Sequence, residues 1–288
     1  MKKSQLFALS PTQIISTLGM GMFDGIHRGH QHVLAECDSL LTFHPHPRQL
    51  FHPVQQLKYL TPLEEKKQLF YHVIALKFNA NLSQLLPIDY LNLIQSLLSP
   101  QKIIVGYDFK FGKNRTGNTD TLTKWGQTKN IDIEIKAPYL DNRIPIKSST
   151  IRNDIISGNI KSANHLLGRP YCLIGNVVKG KQRGRQLGYP TANLIIPPDK
   201  LLPKNGVYFG TITLLNHSYR VALSIGTQTT FNNNKQVIEA HIINFSKNLY
   251  GQHLKIKIHQ FIRNQNTFNS EQELQTQIKQ DIKIINSL

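Results

Sequence analysis

The stretch STLGMGMFDGIHRGH, residues 16–30, predicts a buried strand that turns directly into a helix. Its glycines leave room for backbone N–H groups to approach a ligand closely. A helix that begins near His27 presents N–H groups without intrahelical partners and a partial positive charge, which together suit a phosphate group. His27 and His30 lie in its first turn and could donate hydrogen bonds to phosphate oxygens that gain charge during transfer. A phosphate-binding site is therefore one interpretation of this stretch.

Two other interpretations of this histidine pair stay open at the level of sequence. The pair could bind zinc, although its spacing is not that of HExxH and no third ligand is evident. Both histidines could also be incidental surface residues. The residue pattern alone does not choose among the three interpretations.

Strand-like and helix-like segments alternate through the first half of the chain. Strands are predicted over 16–23, 39–43, 73–78, 102–109 and 131–140, and helices over 29–37, 61–72 and 87–99. Thr61 is predicted to cap the second of these helices, with a proline at its first position. Such alternation is typical of a parallel sheet with helices on its faces, in which ligands bind at the carboxyl ends of the strands.

The pattern changes after about residue 168. Short β-branched or aromatic runs, separated by Gly, Asn and Pro, predict an antiparallel barrel or sandwich. The tail, residues 270–288, predicts a helix in which Ser270 is the N-cap and Glu273 completes a capping box. We therefore expect two domains of different class, residues 1–165 and residues 166–288.

Composition narrows the class of protein. A hydrophobic fraction of 40% and a charged fraction of 18% indicate a globular chain, and no apolar run reaches the length of a membrane span. The N-terminal MKKSQLFALSPTQ lacks the features of a signal peptide, and Cys37 and Cys172 indicate free thiols in a cytosolic protein. The net charge of +17 favours an anionic partner without identifying one.

Several motifs, in one order along the chain, resemble a single family. GMFDGIHRGH resembles the HxGH signature of nucleotidyltransferases in its FAD synthetase form. The stretches that follow it in the order of that family are LTFHPHPRQLF (41–51), VGYDFKFGKNRTGN (105–118) and SSTIRNDIISGNIKSANHLLGRPY (148–171). GNVVKGKQRGRQLGYPTANL (175–194) resembles the riboflavin kinase signature, and EAHIINFSKNLYG agrees with it. Over nearly its whole length the chain is similar to bacterial bifunctional riboflavin kinase/FAD synthetases.

The resemblance implies a fold and two reactions. The expected fold is an α/β Rossmann-like nucleotidyltransferase domain followed by an antiparallel β-barrel riboflavin kinase domain with a C-terminal helix. The second domain would phosphorylate riboflavin to FMN with ATP. The first would transfer AMP from a second ATP to FMN, which gives FAD and pyrophosphate. Mg²⁺ is the implied cofactor. The implied partners are the small molecules ATP, riboflavin and FMN, with no nucleic acid or membrane. The resemblance also implies a monomer or weak oligomer and a cytoplasmic location.

In the first domain, the resemblance makes His27 and His30 catalytic groups that stabilise the α-phosphate transition state, and Asp24 would orient ligand or metal. The expected ligands of the β- and γ-phosphates are Ser148, Ser149, Thr150 and Arg152. The expected flavin-binding residues are Pro45, Pro47, Asp108 and Phe111. Taken alone, the SSTIR stretch would be an ordinary helix start and Phe111 an ordinary packing residue.

In the second domain, the resemblance makes Glu239 the general base that accepts the proton of the ribityl 5′-hydroxyl. Thr191 and Asn193 would hold Mg²⁺ and the ATP phosphates, since magnesium needs few protein oxygens. A flap containing Gly180, Gly184 and Arg185 would cover the phosphates, although its pattern is not that of a P-loop. Taken alone, PTAN could be a simple turn and Glu239 a solvent-facing strand residue.

The sequence departs from the family pattern at several places. Only twelve residues separate His30 from Phe43, and a parallel crossover needs about a dozen. The segment around 71–73 is also short, His44 replaces an acidic residue, and Thr229 replaces a proline. One alternative is therefore a riboflavin kinase with a degenerate, shortened transferase domain. Another alternative is a nucleic-acid-binding protein. Such a protein would need a basic face with stacking aromatic side chains, and the basic residues of this chain are instead spread along the sequence.

Overall fold

The computed structural model describes residues 15–51, 57–180, 184, 187–230 and 233–288. The chain divides into two compact units, Met1–Ser148 and Ser149–Leu288. The N-terminal MKKSQLFALSPTQ segment and Arg185 lie outside the described residues, as does the side chain of Thr229. The domain extents 1–165 and 166–288 stay a prediction.

A five-stranded parallel sheet forms the centre of the first unit, as the alternating pattern predicts. Its strand order is β3-β2-β1-β4-β5. The strands are β1 (Thr17–Met20), β2 (Ser39–His44), β3 (Val73–Lys77), β4 (Lys102–Gly106) and β5 (Asp132–Lys136). β1 pairs in parallel with β2 on one side and with β4 on the other, so the strand order reverses there. In open parallel sheets a ligand binds beyond the carboxyl end of the strand at such a reversal, which here is where GMFDGIHRGH begins.

Helices and a short hairpin surround this sheet. They are α1 (Arg28–Leu34), α2 (Pro47–Phe51), α3 (Leu63–Leu69), α4 (Ala80–Ser83), α5 (Pro87–Leu98), α6 (Thr119–Lys129) and the hairpin of β6 (Leu140–Asp141) and β7 (Ile144–Pro145). The predicted cap at Thr61 was wrong. Pro62 occupies the N-cap position of α3 without a side-chain cap bond, and the Thr61 N–H donates to Asp24 Oδ1 at 3.1 Å instead.

The short first crossover is complete in the structure. The seven residues of α1 return the chain to β2, where Leu18 lies opposite Ser39 and Met20 opposite Leu41. Gly19 makes this close return fit, because a Cβ at that position would lie 2.6 Å from Leu34 Cδ2. The shortening therefore leaves the parallel sheet intact.

A closed antiparallel barrel forms the second unit, which confirms the predicted change of class. Its order is β10-β11-β12-β9-β8-β13. The strands are β8 (Tyr171–Val178), β9 (Ala192–Ile195), β10 (Gly206–Leu214), β11 (His217–Thr230), β12 (Asn233–Ile242) and β13 (His253–Arg263). Fully buried side chains such as Leu173, Tyr208, Leu223 and Ile256 fill the barrel. Two helices precede it, α7 (Ser148–Ser157) and α8 (Ile160–Leu167).

The C-terminal helix, Glu271–Ser287, is anchored to the barrel. Ser270 caps it as predicted by accepting from the Glu273 N–H at 3.2 Å, whereas the Glu273 carboxylate accepts from the Asn269 N–H rather than from the cap residue itself. The buried Asp281 of the helix pairs with Arg263 of β13 through two hydrogen bonds of 2.8 Å.

Candidate active sites

The first candidate site is the turn between β1 and α1. Phe23, Gly25 and Ile26 adopt positive φ angles of 47°, 93° and 39°, which compresses the turn. The side chain of His27 is 3% exposed and caps α1, since its Nδ1 accepts from the His30 N–H at 3.3 Å. In the neutral ring an accepting Nδ1 leaves the proton on Nε2, which can then donate to an anion.

The structure brings His27 and His30 together as a stacked pair. Their ring centroids are 3.6 Å apart with an interplanar angle of 20°, and the Phe23 ring contacts His30 edge-on. Gly29 permits this close arrangement, because a Cβ there would lie 3.2 Å from His27 Cε1 and Nδ1. Stacked rings do not direct their nitrogens at a common metal ion. The described residues also contain no group of three or more His, Cys, Asp or Glu side chains placed to hold a metal, so the zinc interpretation gains no support.

Asp24 joins this turn to two other segments. It is 8% exposed, and its Oδ1 accepts from the Thr61 N–H at 3.1 Å. Its backbone oxygen accepts from Ser148 Oγ at 2.8 Å, so the first residue of SSTIR lies directly against the turn. The other predicted phosphate ligands lie on the same helix, α7. Ser149 and Thr150 are exposed in its first turn, and Arg152, which follows that turn, is half-buried.

The residues predicted for the flavin side follow neighbouring strands of the same sheet. Pro45 and Pro47 lie at and after the end of β2, where the His44–Pro45 peptide is cis, and both are half-buried. Asp108 is exposed in the segment after β4. Phe111 is 5% exposed in the core and stacks on Phe109, which favours the packing role that the sequence left open.

The structure also reveals a functional candidate that the sequence analysis missed. Lys66 of α3 is buried, and its Nζ donates to the Met22 carbonyl at 2.7 Å and to Thr42 Oγ1 at 3.1 Å. Burial lowers the pKa of Lys66 to about 8, and the charge of Asp24 opposes that shift. A signal was present, because Lys66 occupies the core-facing helical position between Leu63 and Phe70.

The second candidate site lies on adjoining barrel strands. Glu239 of β12 is directly opposite Asn193 of β9 and Ser224 of β11, so the three side chains share one face of the sheet. Glu239 is half-buried rather than solvent-facing, and desolvation by burial raises its pKa above the usual range of a glutamate. A carboxylate held this way takes up a proton more readily than an exposed one.

Two glycines bring the predicted flap against the PTAN turn. A Cβ on Gly180 would lie only 2.2 Å from Asn193 Nδ2. A Cβ on Gly184 would lie 2.4 Å from the Tyr189 carbonyl oxygen and 3.4 Å from Thr191 Oγ1. The backbone of both glycines therefore lies directly beside the predicted metal and phosphate ligands.

A pocket of about 250 Å³ opens beside this turn. It is lined by Val177, Pro190, Thr191, Ala192, Ala240, Ile242, Phe245, Ser246, Lys247, Asn248, Leu249 and Tyr250. The segment around Lys247 agrees with the riboflavin kinase motif, but the motif match predicts no role for its individual residues. His241, next to Ala240 on β12, contacts the same turn, since its Nδ1 lies 2.9 Å from the Pro190 carbonyl oxygen.

Comparisons with known proteins agree with this division. A family model described as FAD synthetase matches residues 10–150, and one described as riboflavin kinase matches residues 167–288. Two bifunctional riboflavin kinase/FMN adenylyltransferases are similar to this chain, each over 94% of its length. The protein from Listeria monocytogenes is 32% identical with 91% of its own length covered, and that from Buchnera aphidicola subsp. Schizaphis graminum is 33% identical with 93% covered.

A solved structure is similar over nearly the whole chain. It has a TM-score of 0.88, is 26% identical, and the match covers 99% of this chain and 97% of that one. It is described as a macrolide-efflux protein from Streptococcus pneumoniae. In the part of the present chain that the structure describes, no helix is long and apolar enough to cross a bilayer.

Proposed function

We propose that this chain, which belongs to the family of bifunctional riboflavin kinase/FMN adenylyltransferases, makes FMN from riboflavin and FAD from FMN, with one ATP used in each step. One observation carries the proposal: each unit contains its own cluster of predicted site residues. The first unit stacks His27 on His30 at the strand-order reversal, and the second pairs Glu239 with Asn193. A kinase with a degenerate transferase domain is not favoured, because the chain matches FAD synthetase over residues 10–150 and forms a five-stranded parallel sheet there.

In the proposed kinase step, the Glu239 carboxylate accepts the proton of the ribityl 5′-hydroxyl as that oxygen attacks the γ-phosphorus of ATP. The bond from the γ-phosphorus to the β–γ bridging oxygen breaks, and ADP leaves. The pocket beside Thr191 would receive ATP, with Lys247 available to its anionic groups. The flap glycines and Arg185 would cover the phosphates.

ATP-dependent transfer of this kind implies a divalent metal ion, and we propose Mg²⁺ held by the Thr191 hydroxyl and the Asn193 side-chain oxygen. The donor set fits, because one hydroxyl and one amide leave most of the coordination sphere to phosphate and water, which magnesium prefers. The Asn193 amide lies close to Gly180, since a Cβ on Gly180 would lie 2.8 Å from the Asn193 side-chain oxygen. When bound, the ion would neutralise charge on the phosphate oxygens.

In the proposed adenylyl transfer, a phosphate oxygen of FMN attacks the α-phosphorus of ATP and the bond to the bridging oxygen of pyrophosphate breaks. His27 and His30 would donate hydrogen bonds to the α-phosphate oxygens, which gain charge in the transition state. The proposed ligands of the β- and γ-phosphates are Ser148, Ser149, Thr150 and Arg152. The proposed flavin-side residues are Pro45, Pro47 and Asp108, and Asp24 would orient the ligand. The buried Phe111 would contribute to this side of the site by packing rather than by direct contact with the flavin.

The remaining proposals concern the setting of the protein. We propose a cytoplasmic location, where ATP is available as a substrate. We propose a monomer or weak oligomer whose partners are small molecules rather than nucleic acid or membrane.

Two single substitutions test the proposal, and each is the control of the other. Glu239→Gln should reduce FMN formation by about 10²- to 10⁴-fold, the usual contribution of a general base, and leave FAD formation from added FMN intact. His27→Asn keeps an N-cap acceptor for α1 but removes the imidazole, and should reduce only FAD formation, by about 10²-fold. Both rates are measured by separating the flavins. Normal FMN formation by Glu239→Gln, or equal loss of both reactions in either variant, would contradict the assignments.

A further inference from the structure

Lys66 is placed where its charge can hold the turn that carries the catalytic histidines. We infer that Lys66 is a positioning residue for adenylyl transfer: its ammonium group fixes the Met22–Asp24 turn against β2 and so sets the position of His27 and His30. The expected effect of Lys66 on the rate of FMN adenylylation rests on the proposed transferase function. Its effect on the positions of His27 and His30 can be measured without catalysis.

The contacts form a closed ring of three hydrogen bonds. Lys66 Nζ donates to the Met22 carbonyl at 2.7 Å and to Thr42 Oγ1 at 3.1 Å, and Thr42 Oγ1 donates to the same carbonyl at 3.0 Å. Met22 lies in the turn, Thr42 in β2 and Lys66 in α3, so the ring joins three elements. His27 follows Met22 by only five residues through the compressed backbone described above, so a displaced Met22 carbonyl would displace the histidine.

Stability alone does not account for an ammonium group in this position. Lys66 is 5% exposed, and a buried charge carries a desolvation cost that an apolar side chain of similar length would avoid. Among the described residues, the charged group that acts on Lys66 is Asp24, on the same turn as Met22, whereas Met22 and Thr42 do not titrate. The ammonium therefore binds the carbonyl at Met22 and is also attracted by the carboxylate of Asp24, two residues further along that turn.

The chain offers a matched control in the next residue. Lys67 has the same chemistry, but its side chain is 48% exposed and pairs only with the exposed Glu64 among the contacts described, at 2.8 Å. Lys66→Met should retain the fold and riboflavin kinase activity and lower the kcat of FMN adenylylation by about 10- to 100-fold, as expected for a displacement of a fraction of an ångström up to 1 Å. Lys67→Met should leave both reactions within twofold of the parent chain.

A pH profile separates positioning from a merely structural role. Loss of the Lys66 proton should weaken adenylylation above about pH 8, and Lys66→Met should lack this decline, while riboflavin kinase activity serves as the reference at every pH. If Lys66→Met does not fold, Lys66→Leu, which also removes the N–H donor, replaces it. Equal adenylylation by the parent chain and the Lys66 variant, or the same alkaline decline in both, would overturn the inference.

A measurement without turnover distinguishes failure of this inference from failure of the proposed function. The imidazole proton signals of His27 and His30, assigned with His27→Asn, should shift in Lys66→Met and stay in place in Lys67→Met. Absence of FAD formation by the parent chain would refute the proposed transferase, and the signals would still decide whether Lys66 positions the histidines. Unchanged signals in Lys66→Met would refute the inference.

Discussion

Replacement of Gly180 by alanine tests the kinase site with a single methyl group. The new Cβ would lie 2.2 Å from Asn193 Nδ2, whereas ordinary van der Waals contact begins at 3.4 Å, so the amide must move by about 1.2 Å. A misplacement of about 1 Å in a group that positions substrate can cost about 100-fold in rate. Gly180 does not have a positive φ angle in the structure, so alanine meets the Asn193 side chain and not a strained backbone.

The assay for Gly180→Ala measures both reactions in one preparation. FMN formation from riboflavin should fall by about 100-fold, and FAD formation from added FMN should stay within twofold of the parent chain. Asn193→Ala is the matched comparison, because it removes the displaced amide and should produce a loss of similar size. A Gly180→Ala variant with near-parental FMN formation would refute the assignment of Asn193 as a ligand of metal or phosphate.

Substitutions of Gly29 and Asp281 and the pH dependence of FMN formation test three other features of the molecule. Gly29→Ala should lower FAD formation by about tenfold and spare FMN formation, because its Cβ would lie 3.2 Å from the His27 ring; equal rates of FAD formation would contradict this. Asp281→Ala should lower the free energy of unfolding by about 3 kcal/mol in urea titrations, since it leaves Arg263 without its buried partner; a loss below about 1 kcal/mol would show that the pair does not anchor the C-terminal helix. Burial raises the pKa of Glu239 above the ordinary glutamate value of 4.5, so the carboxylate should take up a proton, and FMN formation should fall, at a pH above 4.5. A pH–rate profile in which FMN formation falls only at or below pH 4.5 would contradict the role of Glu239 as the base.

The class of each unit could be predicted from sequence because local patterns report it directly. The alternation through the first half and the short β-branched runs of the second half lead to the observed sheet and barrel. Element ends were less accurate. The strand predicted over 131–140 ends at Lys136, two residues before Pro138, which cannot donate a ladder hydrogen bond.

From residue patterns alone, the sites could be predicted only where residues close in sequence form them, and the family resemblance was needed to combine distant segments into one site. His27 and His30 are three residues apart on a helix start, so their stacking follows from one motif. The pairing of Glu239 with Asn193 and the ring through Lys66 depend on contacts between distant segments, which no local pattern reports. Thr61 illustrates the same limit, because its N–H serves Asp24, 37 residues away, rather than its own helix.

The central claim is that one chain carries out both reactions, and one incubation tests it most directly. The purified chain is incubated with riboflavin, ATP and Mg²⁺, and the flavins are separated by chromatography over time. FMN should appear first and should then be converted to FAD. FMN that accumulates without FAD would contradict the account, because it would mean that the complete sheet and the stacked His27 and His30 do not support adenylyl transfer.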